Sequence, residues 1–214
     1  MPKMERADLE KRVSLQKALA VVEEFSDPKG EFTNREIHLK KGIVKILSEE
    51  YTPLVLLAKT YRLVRSIRLF PISNAGPDGE IRFWWRLKSK VQITCASENH
   101  DRALMREQLA NQEPVFPNQS HRRVSGRIIE AKGRVLTAPS ENVDRRLSLI
   151  VSAIERKNEQ FYIGTDTLLV QDNTANFKHL GNLHQQVCRS VKEGCASNYK
   201  RVFVVYGSDV KRAK

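Results

Sequence analysis

The segment PISNAGPDGE, residues 71–80, constrains the fold of this chain more than any other stretch. It contains two prolines and two glycines, which favour turns and do not continue a helix or a strand. Elements of secondary structure must therefore end before it and restart after it. The segment separates a helical region, residues 1–76, from a mixed region, residues 77–214, and the two form either separate domains or one continuous domain.

The N-terminal region has the periodicity of amphipathic helices. Leu and Val recur at helical spacing between Met4 and Phe25 and predict one helix there. Thr33 and Glu36 form a capping box that predicts the start of a second helix. Thr52 followed by Pro53 predicts a third helix, because proline suits the first helical turn. The apolar stripe of this third helix is expected to consist of Leu56, Leu63, Ile67 and Phe70.

The C-terminal region mixes strand and helix patterns. Trp84 and Trp85 fit a helix or irregular structure, and alternating residues predict a strand from about Lys88. The stretch RRVSGRIIEAKGRVLTA predicts two strands that meet at AKG. FYIGTDTLLV and RVFVVYG are further strand candidates, with a helix from Asn176 to Val191 between them and a basic tail, KRAK, at the end. We therefore predict an α+β fold, with a helical N-terminal region followed by short strands and capped helices.

A strand, a serine N-cap and a helix recur in similar order in two places. The stretches are QITCASENHDRAL, residues 92–104, and VLTAPSENVDRRL, residues 135–147. Ser97 and Ser140 would cap the two helices, and the acidic residues after them suit the positive end of a helix dipole. The similarity is either a common local pattern or a repeated functional unit, and the sequence leaves both interpretations open.

The chain is strongly basic, with 37 Lys and Arg residues against 25 Asp and Glu and a net charge of +12. A surface with this excess of positive charge favours a polyanionic partner. The apolar runs are too short to cross a bilayer, and the N-terminus lacks a secretory core, so we expect a cytoplasmic protein without membrane contact. The three cysteines contain no CxxC pair, and we predict no metal site and no cofactor.

Candidate DNA contacts follow from polar strand faces and clustered charge. Lys, Gln and Thr alternate with apolar residues on the strand from Lys88 and can reach base edges and phosphates. The predicted DNA-binding residues are Lys88, Lys90, Gln92, Thr94, Arg122, Arg123, Arg127, Lys132 and Arg134. A region without acidic residues, between Tyr51 and Pro77, and the two helix caps add further candidates. The possible phosphate contacts are Lys59, Arg62, Arg65, Ser97 and Ser140.

The stretches KVQITCASENHDRALM and RVLTAPSENVDRRLSLIVSAI resemble the opening half of ribbon-helix-helix DNA-binding units. That resemblance implies a homodimer that inserts paired strands into the major groove of operator DNA, with helix N-termini on phosphates. The long helical N-terminal part, the segment from Asp78 to Trp85, the size and the basicity are also similar to AcaB-like transcriptional regulators of conjugative plasmids and integrative elements. This second resemblance implies promoter binding and activation of conjugative-transfer genes.

Other functions remain open in the sequence. No Walker loop, GxGxxG, HExxH or GxSxG motif occurs, and we do not expect an enzyme. The enzymatic alternative is a metal-dependent nuclease or a recombinase-associated protein that uses Asp166 with Glu159 or Glu141 to hold magnesium. A third alternative is RNA binding, with bases stacked on aromatic side chains. The aromatic candidates are Phe83, Trp84, Trp85, Phe161 and Tyr162, although one of the adjacent tryptophans is expected to be buried.

Overall fold

The structure is a computed structural model that describes residues 5–27, 42–71, 76–96, 121–124, 127–130, 139–172, 180–196 and 198–214. It has a mixed α+β fold, built on one seven-stranded sheet with helices on both faces. In these ranges, no helix has the length and apolar character that crossing a membrane requires.

The main sheet has the strand order β1-β2-β3-β4-β7-β8-β9, and β5 and β6 form a separate two-stranded sheet. The strands are β1 Val13–Ser14, β2 Val64–Leu69, β3 Gly79–Phe83, β4 Lys88–Ala96, β5 His121–Val124, β6 Arg127–Glu130, β7 Thr167–Asp172, β8 Arg201–Tyr206 and β9 Asp209–Arg212. Strands β4, β7 and β8 are parallel to one another, and the other pairs of the main sheet are antiparallel.

The described helices are α1 Arg6–Glu10, α2 Leu15–Ser26, α3 Gly42–Ile46, α4 Thr52–Thr60, α5 Pro139–Glu159 and α6 Leu180–Ser190. A π-helical turn, Leu47–Tyr51, joins α3 to α4, and a second one, Val191–Cys195, extends α6. The crossovers between the parallel strands contain α5 and α6, as parallel strands require a long connection. Leu168, Leu169 and Val170 of β7 are all fully buried, which is typical of a strand covered on both faces.

Each face of the sheet supports its own hydrophobic core. The N-terminal helices pack on one face, against Val91 and Ile93 of β4 among others. Helices α5 and α6 pack on the other face, against Leu168 and Val204. Side chains alternate along a strand, so Gln92 and Thr94 lie on the α5 side of β4. The central strands are therefore covered by helices on both faces over much of their length.

Two helix predictions in the N-terminal region are wrong. The predicted helix from Met4 to Phe25 is divided into α1 and α2 by β1, which pairs with β2 at the edge of the sheet. The third helix ends at Thr60, and Ile67 lies in β2. The sequence VRSIRL alternates apolar and polar residues, and that pattern fits a half-buried strand as well as a helical stripe. Strands β1 and β2 belong to the same sheet as the later strands. The predicted boundary between the two regions, at residue 76, therefore falls within one sheet.

Several later predictions are confirmed with shifted bounds. Strand β4 begins at Lys88, β8 matches RVFVVY, and α6 lies within the predicted helix from Asn176 to Val191. The two tryptophans lie in the turn between β3 and β4. The C-terminal basic segment was expected to be a tail, but its first residues belong to β9, which pairs with β8.

The ribbon-helix-helix detail is not confirmed, because β4 is an inner strand of a sheet that is larger than such a unit. Its backbone pairs with β3 on one side and with β7 on the other, so it cannot enter a DNA groove as a ribbon. A two-stranded ribbon does exist in β5 and β6, in which Val124 lies opposite Arg127. The predicted turn at AKG lies outside the described residues. Ser140 is the second residue of α5, so it is not the N-cap of that helix.

Candidate nucleic-acid interface

A cluster of cations surrounds one buried carboxylate on the solvent-facing half of the sheet. Glu80 of β3 is 3% exposed and lies 2.7 Å from an Arg12 guanidinium nitrogen, 3.1 Å from Arg82 Nε and 3.9 Å from Arg68 Nε. Burial acts to raise the pKa of Glu80, but the hydrogen bond from Arg12 and the surrounding guanidinium charges outweigh it and leave that pKa lowered. The carboxylate stays ionised and anchors the three arginines.

Two lysines extend the cluster across the sheet. Lys90 lies directly opposite Glu80 in the β3–β4 register, and Lys88 lies opposite Arg82. Arg68 lies opposite Glu80 on the other side, in β2. Directly opposite residues of antiparallel strands point to the same face, so these side chains form two rows across three strands. We call this surface the basic face, and it consists of Arg12, Arg68, Arg82, Lys88 and Lys90 around Glu80.

The basic face is open to solvent and has spare hydrogen-bond donors. Lys88 and Lys90 are exposed, and both line a groove of about 510 Å³ with Arg68. In the described part of the chain, one guanidinium nitrogen of Arg12 and Nε of Arg68 are buried without a hydrogen-bond acceptor. Five cations against one carboxylate leave an excess of positive charge on this face, which is suited to a phosphate group.

A strained turn with exposed aromatic residues lies beside the basic face. Trp84 and Trp85 are 62% and 75% exposed, and Leu87 is exposed as well. Arg65 lies over the Trp84 ring at 5.7 Å, a cation–π contact. Arg86 has a φ of 60°, in the left-handed region that costs a non-glycine residue about 1–2 kcal/mol. We call Trp84–Leu87 the tryptophan turn. The expectation that one tryptophan is buried is wrong, because both lie in a turn rather than on a strand.

Of the four DNA contacts predicted on β4, two are exposed and two are buried. Lys88 and Lys90 are exposed as expected, but Gln92 and Thr94 are buried. Gln92 hydrogen-bonds the Tyr199 hydroxyl, and Thr94 Oγ1 accepts a hydrogen bond of 3.2 Å from Arg156 of α5. The prediction that Gln92 and Thr94 face DNA is wrong, because α5 covers this half of β4.

The second predicted set lies on the separate ribbon. Arg122 and Arg123 belong to β5, and Arg127 begins β6, opposite Val124. Lys132, Arg134 and Ser97 lie outside the described residues. The structure therefore places three of the predicted arginines on one two-stranded hairpin.

The predicted phosphate contacts near the third helix do not share one helix face. Lys59 is exposed near the end of α4, Arg62 is exposed in the following turn, and Arg65 is exposed on β2. The helix ends at Thr60, so the expected row of cations along it is interrupted. Of these residues, Arg65 is the one in contact with the tryptophan turn.

The carboxylate of Asp166 is surrounded by hydrogen-bond donors, which does not fit a metal site shared with Glu159. Its carboxylate accepts hydrogen bonds from Arg201, from Ser89 at 2.9 Å and from Thr167 at 3.0 Å. These contacts tie β4, β7 and β8 together. Glu159 is exposed at the end of α5, and nothing is described for the Glu141 side chain. Within the described ranges, no group of three or more His, Cys, Asp and Glu residues could hold a metal ion.

A second polar cluster lies where β3 begins and β4 continues beyond it. Asp78 directly precedes β3, and its Oδ2 accepts a hydrogen bond of 2.6 Å from the Ile93 amide. Its own amide donates to the Val91 carbonyl at 2.9 Å. Gly79 allows α4 to pack closely here, because a Cβ at this position would lie 2.7 Å from a Leu54 methyl carbon. Asp78 thus continues the pairing with β4 beyond the first residue of β3.

Other ionisable groups lie within electrostatic reach of Asp78. Burial raises the pKa of Asp78, while the Ile93 hydrogen bond and the Lys157 charge oppose that rise. Burial also raises the pKa of Glu50, which lies in the π-helical turn, and the charge of Asp78 adds to the effect. The pKa of Tyr199 is raised by burial and then by Asp78.

Sequence reasoning missed this polar cluster around Asp78 because its residues are far apart in the chain. Asp78 belongs to the Pro-Asp-Gly stretch, which predicts a turn, and Glu50 fits an ordinary helix surface. A π-helical turn is enriched at functional sites, but single-residue propensities do not reveal it. The chain matches no family model, no curated protein and no solved structure.

Proposed function

We propose that this protein binds double-stranded DNA and acts as a transcriptional regulator, with the basic face as its main phosphate-contacting surface. The observation that carries the proposal is the set of five cations arranged around Glu80 on an open sheet face. Arginines that a buried carboxylate already holds in place lose little conformational entropy when they bind a phosphate. Their positive charge gives affinity that does not depend on base sequence.

Two other features support a duplex as the partner. The β5–β6 ribbon carries Arg122, Arg123 and Arg127, and a two-stranded ribbon has the size that fits a major groove. The tryptophan turn adds apolar side chains of the kind that wedge between base steps. Sequence preference would then come from the ribbon and the turn, and the basic face would supply affinity. Binding as a homodimer, and activation of conjugative-transfer genes, belong to the same proposal.

Titration with nucleic acid at several salt concentrations tests this function. Fluorescence anisotropy would compare duplex DNA, single-stranded DNA and RNA with the wild-type chain. We expect duplex DNA to bind most tightly and the double variant Lys88→Ala, Lys90→Ala to reduce the slope of log affinity against log salt by about 2, since each phosphate contact contributes about 0.9.

The matched control is the double variant Lys17→Ala, Lys192→Ala, which removes the same charge from exposed positions on α2 and on the π-helical turn after α6. This control should keep the wild-type slope. Equal slopes for the two double variants would show that net charge alone attracts the DNA and would exclude the basic face. Tighter binding of RNA or of single-stranded DNA than of duplex would reject the duplex assignment.

A further inference from the structure

The tryptophan turn belongs to a larger patch of exposed apolar side chains. Leu63 is exposed, and its backbone carbonyl accepts a hydrogen bond of 3.1 Å from the Trp84 amide, so it lies beside the turn. In the described part of the chain, five large apolar residues are exposed, and four of them are Leu63, Trp84, Trp85 and Leu87. We call these four residues the apolar patch. Scattered apolar residues are ordinary on a protein surface, whereas a contiguous group marks a binding site.

The backbone of the apolar patch is strained and well supported. Leu63 and Arg86 have φ values of 65° and 60°, and no other non-glycine residue within the described ranges lies in the left-handed region. The Phe83 amide donates to the Leu87 carbonyl at 3.0 Å and closes the turn. Beneath it, the Phe83 ring packs edge-on against Tyr61, with the centroids 5.4 Å apart. Strained backbone persists where the surrounding structure holds it, and it is concentrated at binding sites.

The charges around the apolar patch indicate the chemistry of its partner. No Asp or Glu occurs in residues 51–77 or 81–97. The exposed charged residues within 59–65 and 84–88 are all cations, namely Lys59, Arg62, Arg65, Arg86 and Lys88. Two copies of the chain that met through this patch would bring like charges together, which is unfavourable. A polyanion with exposed apolar faces fits instead, and a nucleic acid with an unstacked base has both properties.

The apolar patch lies at the end of the basic face. Lys88 directly follows the tryptophan turn, and Arg82 lies opposite Lys88 in the β3–β4 register. Arg65 lies over the Trp84 ring, with its guanidinium carbon 5.7 Å from the ring centroid. A nucleic acid whose phosphates contact the basic face thus has bases close to the two rings. Proteins that bind single strands stack successive bases along a groove, whereas two adjacent rings on one turn suit a single unstacked position.

We propose that the tryptophan turn stacks on an unpaired base within duplex DNA, so that a duplex with a bulged or mismatched base is the preferred ligand of this protein. This preference rests on the proposed DNA binding and specifies the class of duplex. In a perfectly paired duplex, each base is covered by its neighbours, and a wedging side chain must first unstack them. That cost is smallest where a base is already unpaired. The basic face then holds the phosphates on either side of the opened position.

The test compares two duplexes of the same sequence, one fully paired and one with a single unpaired adenine, by fluorescence anisotropy with the full chain. We expect the bulged duplex to bind at least about tenfold more tightly, because no base has to be unstacked first. The double variant Trp84→Ala, Trp85→Ala should bind the two duplexes equally. The chain has two tryptophans, both in this turn, so its intrinsic tryptophan emission reports on the turn alone. That emission should fall when the bulged duplex binds, because the rings then stack on a base.

The matched control is the double variant Lys88→Ala, Lys90→Ala, which should weaken both duplexes by the same factor and keep the preference. Thermal unfolding verifies that each variant is folded. Equal affinity of the wild-type chain for the two duplexes, or a preference that survives in the tryptophan variant, would overturn the role of the turn and leave the proposed DNA binding intact. Single-stranded DNA bound as tightly as the bulged duplex would also overturn it. Failure to bind either duplex would reject the proposed function itself, and the preference with it.

Discussion

At the scale of single residues, burial decides the role of a polar side chain more than its place in a sequence pattern. Lys90 and Gln92 are two residues apart on the same face of β4. Lys90 belongs to the open basic face, whereas Gln92 is fully buried and bonded to Tyr199. The alternating pattern correctly placed both on one face of the strand. It could not indicate that α5 covers one half of that face, because the covering residues come from another part of the chain.

The ion pair between Arg146 of α5 and Asp172 of β7 allows a prediction about stability. Both side chains are buried, and Arg146 donates to Asp172 through two of its nitrogens. Asp172→Ala would remove the buried carboxylate that two Arg146 nitrogens contact, and we expect a loss of about 3–5 kcal/mol in the free energy of unfolding. Urea denaturation measures this change. Asp209→Ala, at an exposed position, serves as the control and should change the unfolding free energy by less than about 0.5 kcal/mol. A loss in Asp172→Ala as small as in this control would contradict a structural role for the pair.

At the scale of elements, the sequence predicted those that lie deep in the fold better than those at its edges. RVFVVY was recognisable because several consecutive residues suit a buried strand, and the strand from Lys88 was recognisable by its alternation of polar and apolar residues. Strand β2 was missed, because VRSIRL follows a helix without proline or glycine between them. The chain leaves the helix there through Leu63, which adopts a left-handed φ of 65°. No local preference of leucine indicates such a turn, and the backbone hydrogen bond from Trp84 to Leu63 at 3.1 Å supports it from the next hairpin.

The tryptophan turn is the exposed apolar element that most strongly indicates a binding surface. Soluble proteins seldom leave two adjacent tryptophans this exposed without a function. If the turn contacts nucleic acid, Trp84→Ala with Trp85→Ala should weaken DNA binding by about 1–3 kcal/mol for each ring that stacks, with little change in the melting temperature. Anisotropy and thermal unfolding measure the two effects. Ile163→Ala, at a position that is 97% exposed, is the control for loss of an exposed apolar side chain. Unchanged DNA affinity of the tryptophan variant would exclude the turn from the DNA-binding surface.

At the scale of the whole molecule, the basic face and the polar cluster around Asp78 lie next to each other at the start of β3. Register brings Lys90 opposite Glu80, and the hydrogen bond from Ile93 brings Asp78 beside the next residues of β4. Residues from the N-terminal helices, from the β2–β3–β4 hairpins and from α5 meet there because β4 is near the centre of the sheet. The sequence predicted the net charge and an affinity for polyanions, but this convergence depends on strand order, which local patterns do not specify.

This arrangement predicts that Glu80 links the strands of the basic face in a pH-dependent way. Burial opposes the charged form of Glu80, but the hydrogen bond from Arg12 and the neighbouring guanidinium charges leave its pKa lowered. The stability that Glu80 contributes is therefore present above its pKa in the unfolded chain and is lost as the pH falls through its lower pKa in the folded chain. We expect the free energy of unfolding of the wild-type chain to fall with acid more steeply than that of Glu80→Gln, and urea denaturation over an acidic pH series measures the difference. The same dependence on pH in both proteins would contradict the role of Glu80 as an ionised anchor.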